Sequence, residues 1–180
     1  MRKLFMACAF FVVAVAGADL QASTAYVGLF ADEAHSVTSV FNMGAITEFD
    51  VWVWWLPSEH GLHSTIFRLT YPPNVTPGTI TLNPNSQPLI GCNDGYEPMC
   101  ATFVSCQLGW VWTHRQRCYL TGYKPGDIKI GPPGVNTLEA WNCEPGYPAE
   151  PMIVISRLYV NWWWDEAEPQ SWGAIKSLYR

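Results

Sequence analysis

Between residues 47 and 56 the chain reads TEFDVWVWWL, with Phe49, Val51, Val53 and Trp55 at the odd positions and Glu48, Asp50, Trp52 and Trp54 at the even ones. Only an extended strand sends alternate side chains to opposite faces, so this spacing predicts a β-strand with its Phe-Val-Val-Trp side in a core and its acid and indole side facing outward. STIFRLTY repeats the pattern, turning Phe67, Leu69 and Tyr71 inward and Arg68 out. Fourteen glycines and fourteen prolines fall mostly between short runs of Val, Ile, Thr and aromatics, which is how an all-β domain is punctuated. The runs predict strands near 25–30, 36–41, 47–56, 64–71, 78–82, 101–107, 110–121, 127–130 and 152–161, none containing a proline. Residues 101–121 read as a hairpin turning at Leu108 and Gly109. Its second strand carries Arg115 and Arg117 on one face and Trp110, Trp112, Cys118 and Leu120 on the other. His114 and Gln116 break that alternation, which predicts a bulge. Eight or nine such strands close as an all-β, two-sheet antiparallel β-sandwich, immunoglobulin-like or jelly-roll-like.

The leader MRKLFMACAFFVVAVAGA places two cations before an apolar run and ends on Ala16-Gly17-Ala18, the pattern of a cleaved signal peptide. Export to the periplasm, the cell surface or the medium is the expectation. Removing residues 1–18 of 180 leaves 162, enough for one domain at 19–164, and takes the formal charge from −5 to −7 by losing Arg2 and Lys3. That balance excludes nucleic acid as a partner, because phosphate backbones require basic surface. No later apolar run approaches the roughly 18 residues that cross a bilayer as a helix. Five cysteines follow the leader, at 92, 100, 106, 118 and 143, and an oxidising compartment pairs as many as an odd number allows. Cys92 with Cys100, bracketing the turn-rich NDGYEPM, is the first pairing expected; Cys106 with Cys143 is the second, leaving Cys118 as a free thiol on a strand.

A resemblance adds to this reading. FRLTYPPNVTPGTITLNPNSQPLIG resembles the part of cohesin modules where a strand ending in an aromatic, a proline-bearing corner and a descending strand follow one another. YLTGYKPGDIKI is similar to their later strand-loop-strand passage. The resemblance covers residues 25–160 and implies a sandwich used for attachment. Cohesins tend not to carry several cysteines, and here the chain departs from them.

Candidate chemistry is sparse. Asp32, Glu33 and His35 bring oxygen and imidazole within four positions, but a metal site needs further ligands from elsewhere, and no CxxC or HxxxH spacing supplies them. Glu59, His60, His63 and Ser64 fall in the turn SEHGLHS, where a small secreted hydrolase would find base and nucleophile, yet no GxSxG-like elbow accompanies them. Asn74-Val75-Thr76 fits a glycosylation acceptor. No cofactor or metal is expected, and the chain reads as a non-enzymatic binding or surface-attachment module whose partner is a protein or glycan at the cell surface. The alternative is a carbohydrate-binding module: Trp52 and Trp54 share the face of Asp50, and indoles flanked by carboxylate form a surface on which sugar rings stack. Residues 165–180 form an acidic link and a tail in which Pro169 and Ser171 start a short helix. Trp172, Ile175 and Tyr179 fall on one stripe of that helix, ready to dock on the domain or on another protein. The ending also resembles C-terminal sorting or attachment tails of secreted proteins from some Gram-negative lineages, which implies an address.

Overall fold

The structure, a computed structural model, describes residues 24–88, 98–133 and 138–162. Twelve strands run through them: β1 Ala25–Phe30, β2 Ser39–Val40, β3 Ile46–Leu56, β4 Leu62–Thr70, β5 Val75–Leu82, β6 Ser86–Gln87, β7 Met99–Gln107, β8 Val111–Thr121, β9 Gly126–Gly131, β10 Glu139–Trp141, β11 Ala149–Ser156 and β12 Leu158–Val160. No helix occurs among the described residues, and the tail with Trp172, Ile175 and Tyr179 lies outside them, as does Cys92.

One sheet runs β11-β1-β3-β8-β5, antiparallel except for the parallel pair β1 and β11. The other is built around β4, which pairs with β7 along one side and with β10 and then β9 along the other; β12 and β2 extend it beyond β9, and β6 extends it beyond β7. β11 belongs to both sheets. Its start, Ala149–Pro151, pairs with β10, and its remainder, from Met152 to Ser156, pairs with β1.

The alternation in β3 is realised as expected. Val51, Val53 and Trp55 are fully buried and join Val27, Leu29, Phe67, Phe103, Leu120, Ile128 and Leu158 between the sheets, with Phe49 packed at the margin. Burying large apolar side chains stabilises by about 1.5–3 kcal/mol each. Two polar groups taken inside are bonded: the Trp55 indole N–H donates to Thr113 Oγ1 at 2.8 Å, and the Tyr71 hydroxyl donates to Gln116 Oε1. At one end Asn161, buried with a positive φ of 55°, accepts from the Asn42 N–H and donates to the carbonyls of Gly122 and Lys124, locking β12 to the β8–β9 turn.

Three expectations are corrected. Residues 101–121 are not a hairpin: β7 pairs with β4 and β6, β8 with β3 and β5, so the turn at Leu108 and Gly109 crosses from one sheet to the other. Both strands bury one face, and arching over the core buries both at once. The bulge is present, and it moves Trp112. Trp54 opposes Trp112 while Val53 opposes His114, so Thr113 and His114 both point inward and Trp112 shares the outer face with Arg115 and Arg117. Finally, Pro77 lies inside β5, where the register slips between Pro77 and Ile80. β5 is an edge strand, where a proline is tolerated, and the irregular edge discourages pairing with other chains.

Cys118 is free and fully buried beside this bulge. Burial, with a smaller contribution from the Asp50 charge, pushes its thiol up to about 12, so the nucleophilic thiolate is scarce at neutral pH. Alkylation of the native protein at pH 8 is expected to leave Cys118 unlabelled, and alkylation in denaturant without reductant to label it. Rapid labelling of Cys118 in the native state would contradict this packing.

Candidate ligand face

The outer face of the β11-β1-β3-β8-β5 sheet carries the sequence-predicted residues Asp50, Trp52 and Trp54. The register sets Asp50 opposite Arg117, Trp52 opposite Arg115 and Phe30, and Trp54 opposite Trp112 and Gly28. Arg117 bridges two acids: its Nε donates to Asp50 Oδ1 at 2.6 Å and its Nη1 to Glu48 Oε1. Such partly exposed pairs are worth about 0–1 kcal/mol, so their consequence is to hold Asp50 in place. Trp52 points to this face but is not open. Its ring meets the edge of Trp112 at 5.1 Å and lies under the Arg115 guanidinium at 5.4 Å, leaving it 7% exposed. An open platform of Trp52 and Trp54 is therefore corrected: Arg115 and Trp112 of the neighbouring strand, the latter brought there by the bulge, cover the first indole.

Trp54 is half-buried and is covered from a loop. After β1 the chain turns at Asp32, whose carboxylate accepts from the Ser36 N–H and hydroxyl and from the Val37 N–H at 2.6–2.9 Å, while the Ala31 N–H donates to the Val37 carbonyl. Partial burial acts to raise the Asp32 pKa, but the Ser36 and Val37 hydrogen bonds hold it below the usual carboxylate range. The turn carries His35 at a φ of 44°. Its imidazole stacks on Trp110 with centroids 5.0 Å apart and planes 19° from parallel, and it lies 4.7 Å from the Trp54 centroid. Phe30 backs the group at 5.9 Å. Gly28 makes room for Phe30, since a Cβ there would come 2.9 Å from the Phe30 ring and 2.6 Å from Ser156 Oγ.

The other candidate residues fall elsewhere. Asp32 and His35 are engaged as described, and no group of three potential metal ligands occurs among the described residues. His60 Nδ1 lies 3.0 Å from Glu144, and its Nε2 lies 3.7 Å from Glu59, but His60 and Glu144 are 39% and 49% exposed, so the pair sits at the surface. His63 stacks on Tyr147 at 4.0 Å, and Ser58 donates to Glu150 at 2.7 Å. These contacts fasten residues 142–150 over the start of β4. Asn74 spends its amide N–H on the Lys124 carbonyl at 2.8 Å. Cys106 and Cys143 are bridged, and Cys100 is also disulfide-bonded.

Sequence reasoning missed His35, Trp110 and Trp112 as members of the Trp54 face. The signal for Trp112 was the broken alternation at His114, read as a bulge without following its effect on the residues before it.

The described chain is an all-β, two-sheet sandwich in which the first strand and a late strand pair in parallel, and it is cohesin-like in fold. The solved structures similar to the chain are cohesins. A non-cellulosomal cohesin from the hyperthermophilic archaeon Archaeoglobus fulgidus matches 76% of this chain and 91% of its own at 10% identity and a TM-score of 0.51. The seventh ScaB type I cohesin from Pseudobacteroides cellulosolvens matches 76% and 90% at 11% identity and 0.51. The sixth cohesin of scaffoldin B from Acetivibrio cellulolyticus, solved with a dockerin, matches 77% and 98% at 9% identity and 0.52. At such identities the likeness is one of fold. No protein-family profile matches the sequence, and no curated protein does.

Proposed function

We propose that this chain is an exported, non-catalytic module that holds a protein partner at the cell surface. The observation that carries the reading is the cohesin-like sandwich, which extends over about three quarters of the chain and is used by at least one similar protein to bind a dockerin. The leader at 1–18, the disulfides and the C-terminal ending support export and attachment. The test is to immobilise residues 19–180, capture extracellular proteins of the source cells, identify the bound species by mass spectrometry, and titrate the purified candidate. A saturable complex with a dissociation constant in the micromolar range or below supports the reading. Absence of any saturable protein complex, or turnover of a substrate by the purified chain, overturns it. Export is checked by sequencing the mature N-terminus, expected at Asp19, and attachment by ending the chain at Glu168 and assaying its release to the medium.

A further inference from the structure

Three large apolar side chains stand in water at one end of the sandwich: Met43 is 88% exposed, Ile46 63% and Tyr123 71%. Tyr119, also exposed, joins them, because Ile46 lies opposite Thr121 and Tyr119 opposite Glu48, which makes Ile46 and Tyr119 diagonal neighbours on the outer face. The backbone beneath this patch is pinned. The Asn42 amide donates to the Gly122 carbonyl and its Oδ1 accepts from the Thr47 hydroxyl, while Thr47 Oγ1 accepts from the Met43 N–H. Asn161 ties the Asn42 N–H to the carbonyls of Gly122 and Lys124. Met43 and Tyr123 each follow a residue of this knot, which fixes where they emerge. Singly exposed apolar residues are ordinary, but a group of them on a pinned rim marks an interaction surface. The same knot is where the chain leaves. Asn161 belongs to it, Trp162 donates its indole N–H to the Gly126 carbonyl at 2.9 Å, and residues 163–180 follow beyond the described ones. Residues 171–180, read from their sequence as a helix, are fewer than the roughly 12–15 that hold a helix in water, so their apolar stripe needs a surface to form on.

We propose that the patch of Met43, Ile46, Tyr119 and Tyr123 is the docking surface of the chain's own C-terminal segment, which lays its stripe of Trp172, Ile175 and Tyr179 on it. Reach permits this. Residues 163–170 extend up to about 26–29 Å, a helix over residues 171–180 is about 15 Å long, and the patch begins one residue from the knot. Proximity favours this occupant over a second copy: a short tether holds the stripe at an effective concentration on the order of a millimolar, above that of free protein in solution. The order of charges agrees. On leaving the knot the segment first presents Asp165, Glu166 and Glu168, and Lys124 is the exposed cation of the adjoining turn. Lys176 and Arg180 come later, toward the Glu48–Arg117–Asp50 group, whose two carboxylates outnumber its guanidinium on the face beyond Ile46. The docking needs no protein partner and does not rest on the reading proposed above. An attachment partner that takes the same stripe competes with the patch for it.

The experiment places the photo-crosslinking residue p-benzoylphenylalanine at position 123 of the mature chain, which keeps an aromatic ring there, and irradiates an equal mixture of ordinary and isotope-labelled protein. Digestion and mass spectrometry are expected to find position 123 joined to a peptide from residues 171–180, both halves carrying the same isotope. Trp172→Ser together with Ile175→Ser removes the stripe and is expected to lower that yield at least fivefold. The same crosslinker at position 108, in the exposed turn beyond the other end of β8, is expected to join the segment several-fold less. Melting temperatures and protection of the buried Cys118 thiol report that each variant is folded. Joining of position 123 only to other parts of the domain overturns the proposal, as does a yield that the serine variant or the move to position 108 leaves unchanged. A product in which half of the joined pairs carry mixed isotopes also overturns it, because the patch then belongs to a second copy. No outcome depends on capture of a protein partner, so failure of the docking and failure of the protein-binding reading are separately visible.

Discussion

Replacing Cys106 and Cys143 together by alanine is expected to lower the unfolding free energy by about 4 kcal/mol, read from urea denaturation. The bridge joins the end of β7 to the segment after β10, closing a sequence separation of 37 residues, and a loop of that length restricts the unfolded chain by about that amount. Such a loss is a large part of the 5–15 kcal/mol that holds a typical domain. Gly61 is tied to the same bridge. It has a φ of 75°, and a Cβ there would lie 2.3 Å from Cys106 Sγ. Gly61→Ala is therefore expected to destabilise by several kcal/mol when the bridge is present. In the double-alanine chain it should cost only about 1–2 kcal/mol, the price of the left-handed backbone. This difference is the coupling that a double-mutant cycle measures. Equal costs in the two backgrounds, or a bridge whose removal changes stability by less than 1 kcal/mol, would show that the sulfur does not govern this corner.

Lowering the pH from 6.5 to 4 is expected to destabilise the protein by about 3 kcal/mol through one residue, His114. Its ring is fully buried and meets Phe67 edge-on at 5.0 Å. Burial drives its pKa down to about 3, and a hydrogen bond to the Cys100 backbone opposes this only in part. Unfolded, the group titrates near 6.5. Below that pH the unfolded chain takes up a proton that the native chain refuses, so stability falls with acid at about 1.4 kcal/mol per pH unit. Above pH 6.5 both states are neutral and this dependence vanishes. Asp32, with a lowered pKa, acts in the same direction, but only as the pH falls below its ordinary carboxylate value. Urea midpoints between pH 8 and 4 test this. His114→Leu is expected to be less stable at neutral pH, because a hydrogen bond is lost, and nearly flat between pH 6.5 and 4. A His114→Leu chain with the original slope would assign the acid sensitivity to other groups.

The faces of individual strands were legible in the sequence, and their partners were not. Period two assigned Val51, Val53, Trp55, Phe67 and Leu69 to the core because burying one side of a strand is a local property written in alternate residues. Which strand lies beside which depends on contacts between segments far apart, so residues 101–121 read as a hairpin when β7 and β8 stand in different sheets. The same limit explains Trp52. Alternation places it on the outer face, correctly, but outward is not exposed: Trp112 and Arg115 cover it, and Trp112 reaches it only because one extra residue, Thr113, reverses the facing of what precedes it in β8. His35 was visible only as a possible metal ligand. Its stacking on Trp110 and its contact with Trp54 follow from a turn that Asp32 closes, and nothing in a run of six residues says where such a turn will point. The break at Arg157 was likewise unreadable, because MIVISRLYVN alternates as one strand while β11 and β12 pair with different neighbours.

The parallel pairing of β1 with β11 has a mechanical consequence. Ala25 lies beside Met152, and both strands run the same way to Gly28 and Ser156. A load applied between the beginning of the described chain and its end pulls β1 from its first residue and β11 from its last, so the two strands are drawn past each other lengthwise. Every rung between them is then strained together, where a hairpin pulled at its open end would yield one rung at a time. A tether held at one terminus and loaded at the other resists tension through this seam, and the seam yields as a unit.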